Sequence, residues 1–226
     1  MVHTDEKLAR QAASDAVTGL GWRHVLGTLM TSVPVPSLVN AAEAGAAAIA
    51  ACGSDADGHL RLDLRGDAVQ LVLRSTAAQA ITRLDVLLAE QISAALADRG
   101  LRTVPGVARR VQMLEIALDA LDIWAIRPFW KAVMAYVDEG PPPNDGLMDP
   151  SGQGPTIWFQ EMTEPRPQRN RIHFDVSVPH DEALDRIRAT TDAGGVVVYD
   201  AEAPAFWVLA DPEGNEACVT TWQGRD

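Results

Sequence analysis

The feature that most constrains the fold is a change of pattern near residues 102–110. Before this segment, apolar residues recur at helical spacing, and that apolar stripe ends at Leu96. After it, apolar and polar residues alternate, which is typical of a half-buried strand. The segment itself contains an adjacent proline and glycine, a pair that favours loops. Two domains are therefore predicted, at residues 1–101 and 111–226.

The first half combines helices with a hairpin. Ser37 is placed to cap an alanine-rich helix that runs to about Ala51. Leucine alternates with charged residues over Leu60–Arg65, and a Gly-Asp turn leads to a second apolar strand ending at Leu73. Thr82 then precedes a helix with an apolar stripe. This pattern predicts a small sheet covered by helices.

The second half repeats one order of elements. We predict strands at 113–119 and 156–162 with a helix near 126–137, then a strand at 171–178, a helix at 181–193, and strands at 195–199, 206–210 and 216–221. The order is strand, helix and further strands, twice. Paired modules of this kind can close around a central cavity, and the predicted fold class is α+β.

Three short motifs of the second half carry a family resemblance. The strongest is Asp211-Pro212-Glu213-Gly214-Asn215-Glu216 before the last strand, and the others are Pro128-Phe129-Trp130 and Arg171-Ile172-His173-Phe174-Asp175. In the first motif Asp and Asn can bond their own backbone, Pro sets φ, and Gly allows a positive φ. Residues 111–222 resemble the vicinal oxygen chelate superfamily of glyoxalases, bleomycin-resistance proteins and dioxygenases. The resemblance implies paired βαβββ modules.

Metal-binding members of this superfamily hold the ion through His and Glu at four positions. The resemblance places the first of them on Glu115 and another on Arg171, with His173 two residues further on. The position on the last strand falls on Cys218 or Glu216. A divalent cation needs about three or more converging protein ligands, and Glu115 alone matches the pattern. We therefore expect no metal and no cofactor, as in the metal-free branch of the superfamily.

Strand alternation selects further pocket residues. Arg171, His173 and Asp175 share one face of their strand, while apolar residues share the other. In the fold that the resemblance implies, helices cover the outer face, so the polar face would point into a cavity near Glu115. The alternative is that this polar face is an ordinary solvated one.

Candidate roles in this half follow from these positions. Trp158 alternates with apolar neighbours and shares a strand face with Gln160, which makes both candidates for a pocket wall. We expect His173 and Glu115 to be catalytic residues. The expected substrate-binding residues are Trp158, Gln160, Arg171 and Asp175.

The first half carries a second resemblance. Its motifs are Gly21-Trp22-Arg23 after the first helix, the leucine-alternating hairpin, and Ile81-Thr82-Arg83-Leu84-Asp85 at the start of the last helix. Together they make residues 4–98 similar to pterin-4a-carbinolamine dehydratase. The resemblance implies a small dehydratase-like sheet with helices.

The dehydratase active site carries an Asn-His-His-Pro segment and a later His. Here the segment reads Asp57-Gly58-His59-Leu60, and the later position holds Thr76, so one of the three histidines is present. Dehydration needs one proton delivered and another removed, which paired imidazoles can do. His59 is thus a candidate catalytic residue, with Asp57 or Asp63 as a partner. The alternative is a surface loop histidine on a scaffold that has lost its reaction.

Charge and cysteine content restrict partners and location. The net charge is −12, which opposes nucleic acid and anionic membranes as partners, because both attract clustered Lys and Arg. Cys52 and Cys218 form no paired motif and suit a reducing compartment. No apolar stretch approaches the roughly 20 residues that span a bilayer. We expect a cytoplasmic homodimer with a small-molecule ligand.

Three functions remain open from the sequence. The first is binding or turnover of a small molecule in a glyoxalase-like cavity, with the degenerate dehydratase-like half as a scaffold. The second is a 4a-hydroxytetrahydrobiopterin dehydratase, a lyase, that uses His59. The third is a non-enzymatic protein that sequesters a drug or metabolite. Whether the chain is an enzyme stays open at this point.

Overall fold

The structure, a computed structural model, describes residues 6–105, 113–165 and 172–224. Residue contacts divide the chain into two compact units, Met1–Met113 and Leu114–Asp226. Each unit has its own cluster of buried apolar side chains. Helices and small sheets occur in both units, which confirms the α+β class.

Unit 1 is a four-stranded antiparallel sheet with helices, and its strands run in the order β1-β2-β4-β3. Its elements are α1 (Arg10–Thr18), β1 (Arg23–Val25), β2 (Thr28–Pro34), α2 (Leu38–Cys52), α3 (Ala56–His59), β3 (Leu60–Arg65), β4 (Ala68–Leu73) and α4 (Arg83–Ala97). The predicted hairpin is confirmed, because β3 pairs with β4 in antiparallel register.

Local signals set the helices of unit 1. The Ser37 hydroxyl accepts the Asn40 N–H at 3.2 Å and begins α2, as predicted. Thr82 and Asp85 form a capping box at the start of α4. The core of the unit includes Trp22, Leu71 and many small alanine side chains of α2.

The end of unit 1 lies beyond the predicted start of the linker at residue 102. Val104 and Ser32 exchange two backbone hydrogen bonds of 2.9 Å, so this part of the chain continues the sheet next to β2. The Thr28 hydroxyl also contacts the Met113 sulfur at 3.7 Å. Residues 106–112 lie outside the described ranges.

Unit 2 contains two four-stranded sheets. The chain segment that forms each sheet also includes one long helix. Its elements are β5 (Glu115–Ala120), α5 (Ile123–Met134), β6 (Val137–Asp138), β7 (Leu147–Met148), β8 (Thr156–Glu161), β9 (Phe174–Ser177), α6 (Ala183–Asp192), β10 (Val196–Tyr199), β11 (Phe206–Ala210) and β12 (Glu216–Thr220). The short strands β6 and β7 flank a proline-rich segment, and neither strand was predicted from the sequence.

The two sheets of unit 2 have the same internal order. One runs β5-β8-β7-β6 and the other β9-β12-β11-β10, so in each the first strand lies at an edge beside the last. Both of these first-and-last pairs, β5 with β8 and β9 with β12, are parallel. The other pairs are antiparallel.

Helix α5 begins earlier than the predicted position near residue 126. The Asp122 carboxylate accepts the N–H groups of Trp124 and Ala125 at 3.0 and 3.2 Å, which caps the helix three residues sooner. The helix ends where Ala135 adopts a left-handed conformation with φ of 54°. Phe129 and Trp130 then face the core of the unit, where both are almost fully buried.

Candidate functional site

A cavity of about 590 Å³ lies in unit 2. Its wall takes residues from the edge strand β5, from the start of the edge strand β9, and from the turn that precedes β12. This volume lies within the range of about 300–1,000 Å³ that is usual for small-molecule sites. The apolar part of the wall comes from Ile116, Leu118, Trp130, Met162, Ile172 and Phe174.

Residues 211–216, which we call the Asp211 turn, are organised by one buried carboxylate. Asp211 Oδ1 accepts the N–H groups of Glu213 and Asn215, both at 2.9 Å. Its Oδ2 accepts the Asn215 side-chain N–H at 2.8 Å and the indole N–H of Trp130 at 3.0 Å. Because Trp130 belongs to α5, the same carboxylate that shapes the turn also holds the helix.

A second side chain of the Asp211 turn reaches the start of the same helix. The Glu213 carboxylate accepts the Leu121 N–H with both oxygens at 3.0 Å, and the Asp122 N–H at 2.7 Å. Asp122 in turn caps α5. The turn therefore binds the connection between β5 and α5 through Glu213, and the Trp130 side chain through Asp211. These contacts form one side of the cavity.

Aromatic rings form the inner part of the wall. Trp130 is 1% exposed, and its ring meets those of Phe129 and Phe174 edge to face at centroid distances of 5.3 and 5.7 Å. Two apolar side chains of the wall are in contact with solvent, since Ile172 is 73% and Leu121 is 41% exposed. The wall thus runs from a buried aromatic floor to an exposed apolar rim.

Three of the predicted residues lie together on one sheet face. Trp158 is paired with Ala117 and Gln160 with Asp119, so both share the face of β5 that carries Glu115. All three predicted side chains are exposed. None of the three belongs to the wall of this cavity. Their catalytic and substrate-binding roles stay predictions.

The predicted residues around β9 divide between the two faces. His173 and Asp175 are exposed, and neither belongs to the cavity wall. The residues of this segment that line the cavity are Ile172 and Phe174, from the apolar face. Arg171 lies outside the described residues. The resemblance predicted that the polar face would point into a cavity, whereas the described residues that border this cavity come from the apolar face.

A repeated turn motif, which was not predicted from the sequence, explains part of the site. Asp149-Pro150-Ser151-Gly152-Gln153 has the same form as Asp211-Pro212-Glu213-Gly214-Asn215. Each copy stands just before the last strand of its sheet, β8 or β12. Aligning the two halves of unit 2 by their element order would have revealed it.

The first copy, residues 149–154 or the Asp149 turn, has the same local hydrogen bonds. Asp149 accepts the N–H groups of Ser151 and Gln153 at 2.8 Å and of Gly154 at 2.6 Å. Burial opposes ionisation of this carboxyl group, but the hydrogen bonds from Gly154, Ser151 and Gln153 prevail and lower the pKa of Asp149. Gly152 takes a φ of 67°.

His59 lies in unit 1 at the end of α3, and its side chain is 13% exposed. Its Nδ1 lies 2.8 Å from Asp85 Oδ1, and Asp85 is fully buried at the start of α4. A carboxylate can only accept, so Nδ1 is the donor in this contact. His59 is therefore not on an exposed surface loop, because α4 brings a buried carboxylate to the ring. The other part of that alternative, a scaffold that has lost its reaction, stays a prediction.

The other candidates around His59 have different surroundings. Asp63 is exposed and pairs with Arg65 at 2.6 Å, while Asp57 is exposed on α3. The Thr76 hydroxyl, at the later histidine position, donates to the Gly58 carbonyl at 3.0 Å. The proton partner proposed for His59 from the sequence was Asp57 or Asp63, and the carboxylate that contacts it is Asp85.

Two further findings concern metals and membranes. Within the described ranges, no group of three or more His, Cys, Asp or Glu side chains is arranged to hold a metal ion. The described helices include none that is both long and apolar enough to cross a bilayer.

Comparison with solved structures finds low similarity. A hypothetical protein from S. aureus is 16% identical, with 49% of this chain and 93% of that chain covered and a TM-score of 0.38. A glyoxalase-related enzyme from Fulvimarina pelagi is 18% identical, with 49% and 87% covered and a TM-score of 0.38. A transcriptional coactivator/pterin dehydratase from Brucella melitensis is 20% identical, with 40% and 98% covered and a TM-score of 0.36.

Comparison by sequence finds one similarity, and it falls on the second unit. No curated protein matches the chain. Residues 115–220 match the family model of the glyoxalase-like domain. This range begins at β5 and ends at the last residue of β12, so it spans both sheets around the cavity. Unit 2 is therefore similar to the glyoxalase-like domain over residues 115–220.

Proposed function

We propose that unit 2 binds a small molecule in its cavity and that unit 1 serves as a scaffold. The observation that carries this proposal is the hydrogen bonding of the wall. Asp211 accepts the indole N–H of Trp130 in α5, and Glu213 accepts the Asp122 N–H at the start of the same helix. Such bonds fix one side of the cavity before a ligand arrives, which lowers the entropy cost of binding. The glyoxalase-like match over the same residues supports it.

Binding is favoured over turnover by the position of the titratable groups. Glu115 and His173, the candidate catalytic residues of this unit, are exposed and lie outside the cavity wall. Glu213, which does line the cavity, has its carboxylate committed to backbone N–H groups. Asp119 and Glu216 also line the cavity and also interact with other groups of the chain. A general acid or base must reach the reacting atoms, and none of the residues predicted to be catalytic lines the cavity, so binding is favoured over turnover.

A thermal-shift screen tests this function. Pterins, α-keto aldehydes and aromatic compounds are added to the full chain, and a binder at about 100 times its Kd should stabilise the fold by about 2.7 kcal/mol. Ala117→Phe would add a ring to the cavity wall from an exposed position on β5 and should reduce the shift. Ala189→Phe, at an exposed position on α6, is the matched control and should retain it. A shift that Ala117→Phe leaves undiminished would contradict the proposal.

A second candidate function is a residual dehydratase activity at His59. It is favoured by the contact with Asp85, which orients the His59 ring through Nδ1 and leaves Nε2 outside that contact. Against it stand Gly58 and Thr76, which occupy the two other histidine positions of the resembled enzymes and do not titrate near neutral pH. We expect turnover of a 4a-hydroxytetrahydropterin to be absent or slow.

The decisive assay compares wild type with His59→Ala on the carbinolamine. Loss of one general acid or base costs about 10²–10⁴ in rate, and losses within one catalytic unit are not additive. Any residual activity should therefore depend on His59. Rapid wild-type turnover that His59→Ala abolishes would promote the dehydratase to the leading function. Activity that is unchanged by the substitution would place catalysis elsewhere in the chain.

A further inference from the structure

Helix α2 of unit 1 presents an apolar surface to solvent. Of its 15 residues one is charged, Glu43, although charged residues make up 22% of the chain. The other exposed residues of the helix are apolar and lie on one side of it at helical spacing: Leu38, Val39, Ala42, Ala46, Ile49 and Ala50. We call these six residues the α2 face. The exposed sides of other long helices carry charge, as at Glu90 of α4 and Arg188 of α6.

The α2 face has large apolar side chains at both ends. Leu38 and Val39 are 57% and 68% exposed near the start of the helix, and Ile49 is 46% exposed near its end. Leu64 of β3 is 42% exposed and extends the surface at its flank, since its Cδ2 atom would lie 3.1 Å from a Cβ atom added to Gly45. Exposed apolar surface that is concentrated in one patch, rather than scattered, marks an interaction site.

The positions of the α2 face are symmetric about Ala44. In two antiparallel copies of the helix related by a two-fold axis at that level, Val39 of each copy falls at the level of Ile49 of the other. Ala42 and Ala46 then meet at the centre, where their small side chains let the helix axes approach to about 8 Å. A surface that is complementary to itself in this way fits a second copy of the same chain.

Charge favours the same surface for such a contact. The chain carries a net charge of −12, so two copies repel each other over most of their surface. The α2 face brings them together where charge is sparse. Glu43 lies at its border, and the Asn40 side chain donates to the Glu43 carboxylate at 3.2 Å.

We propose that the α2 face is the contact between two copies of this chain, with their α2 helices antiparallel about a two-fold axis. The segment from Leu38 to Ala50 is about 18 Å long. A standard interface buries about 800 Å² on each partner, which is more than one helix face of this length supplies. The dimer should therefore be weak and should depend on concentration. This contact concerns unit 1 and is independent of what the cavity of unit 2 binds.

Sedimentation velocity of the full chain tests the proposal. Wild type should pass from monomer to dimer between about 1 and 300 µM, and added salt should tighten the dimer, because both copies are acidic. Ala46→Glu places a charge at the centre of the α2 face and should weaken dimerisation about tenfold or more. Ala12→Glu makes the same change at an exposed position of α1 and should leave the dimer intact. Wild type that stays monomeric, or a dimer that Ala46→Glu leaves unchanged, would overturn the proposal.

Disulfide crosslinking tests the orientation and does not depend on Ala46→Glu. A mixture of Val39→Cys and Ile49→Cys chains should form a crosslinked dimer that neither variant forms alone. In the antiparallel pair two copies of position 39 stand about 15 Å apart along the helix axis, whereas a disulfide needs Cα atoms within about 7 Å. The native Cys52 and Cys218 are buried and should not compete. Crosslinking of Val39→Cys with itself, or none in the mixture, would overturn the antiparallel contact.

Discussion

The Asp149 turn and the Asp211 turn are two copies of one local structure with different surroundings. In both, the aspartate accepts the N–H groups two and four residues ahead. In both, a glycine takes a positive φ, 67° for Gly152 and 85° for Gly214. The Asp149 side chain accepts hydrogen bonds from Ser151, Gln153 and Gly154 of its own turn, whereas Asp211 also accepts one from Trp130 of α5.

The third residue of each turn sharpens this difference. Ser151 is short, and its hydroxyl donates back to Asp149 at 2.8 Å. Glu213, at the same position of the other copy, extends to the N–H groups of Leu121 and Asp122. The comparison teaches that Asp, Pro and Gly are enough to build the turn, while one long side chain and one buried indole make it part of a cavity wall.

The largest difference between the turns is expected from removing the aspartates. Asp211→Ala leaves the buried Trp130 N–H and two backbone N–H groups without their acceptor, so it should lower the free energy of unfolding by about 3 kcal/mol. Urea unfolding of Asp211→Ala and Asp149→Ala, side by side, measures it. If Asp149→Ala lowers the free energy of unfolding as much as Asp211→Ala does, the hydrogen bond to Trp130 adds no measurable stability.

The Asp149 turn should respond to pH. Its folded-state pKa is lowered, so its contribution to stability is present above the unfolded pKa of about 3.9 and is lost as pH falls through the folded value. Asp149→Asn should therefore cost about 1.5 kcal/mol at neutral pH. The gap to wild type should close as pH falls from about 5 to 2, as read from unfolding curves at each pH. A gap that stays constant over this range would contradict the assigned hydrogen bonds.

The two glycines should behave alike. Gly152→Ala and Gly214→Ala each force a side chain into the left-handed region at a cost of about 1 kcal/mol. Because this cost is local, thermal unfolding should show similar losses for both variants. A clearly larger loss at either position would mean that its tertiary surroundings add to the backbone term.

The smallest effect on stability is expected at Glu213, the third residue of the Asp211 turn. Glu213→Gln keeps one carbonyl acceptor and should cost about 0.5 kcal/mol. It should nevertheless speed hydrogen exchange at the Leu121 and Asp122 amides, which lose part of their partner. Ser151→Ala is the matched control at the twin position and should leave those two amides unchanged in an NMR exchange experiment. Unchanged exchange in Glu213→Gln would show that the carboxylate does not hold this connection.

Much of unit 1 could be predicted from local patterns. Ser37 and Thr82 begin α2 and α4 as expected, because capping depends on residues within one turn of the chain. The β3–β4 hairpin follows from alternation and a tight turn. In unit 2, by contrast, the predicted start of α5 was too late, because the cap at Asp122 lies before the apolar residues that suggested the helix.

The candidate site could be predicted only in part. The Asp211 motif, Trp130 and Phe174 were each recognised as family markers, but their mutual contacts were not. The partner of His59 was also missed, because Asp85 stands 26 residues further along the chain and looked like part of a helix start. Sequence separation hides such pairs when no local pattern links them.

The sequence by itself determined the local shapes of this protein, including the caps, the hairpin, the two faces of β9 and the backbone of the repeated turns. Each depends on interactions among residues a few positions apart, so the chain encodes them directly. The tertiary structure alone decided that the apolar face of β9 borders the cavity and that Glu213 reaches Leu121, 92 residues away. Such choices depend on how whole elements pack, since burial and long-range hydrogen bonds arise only when distant segments meet.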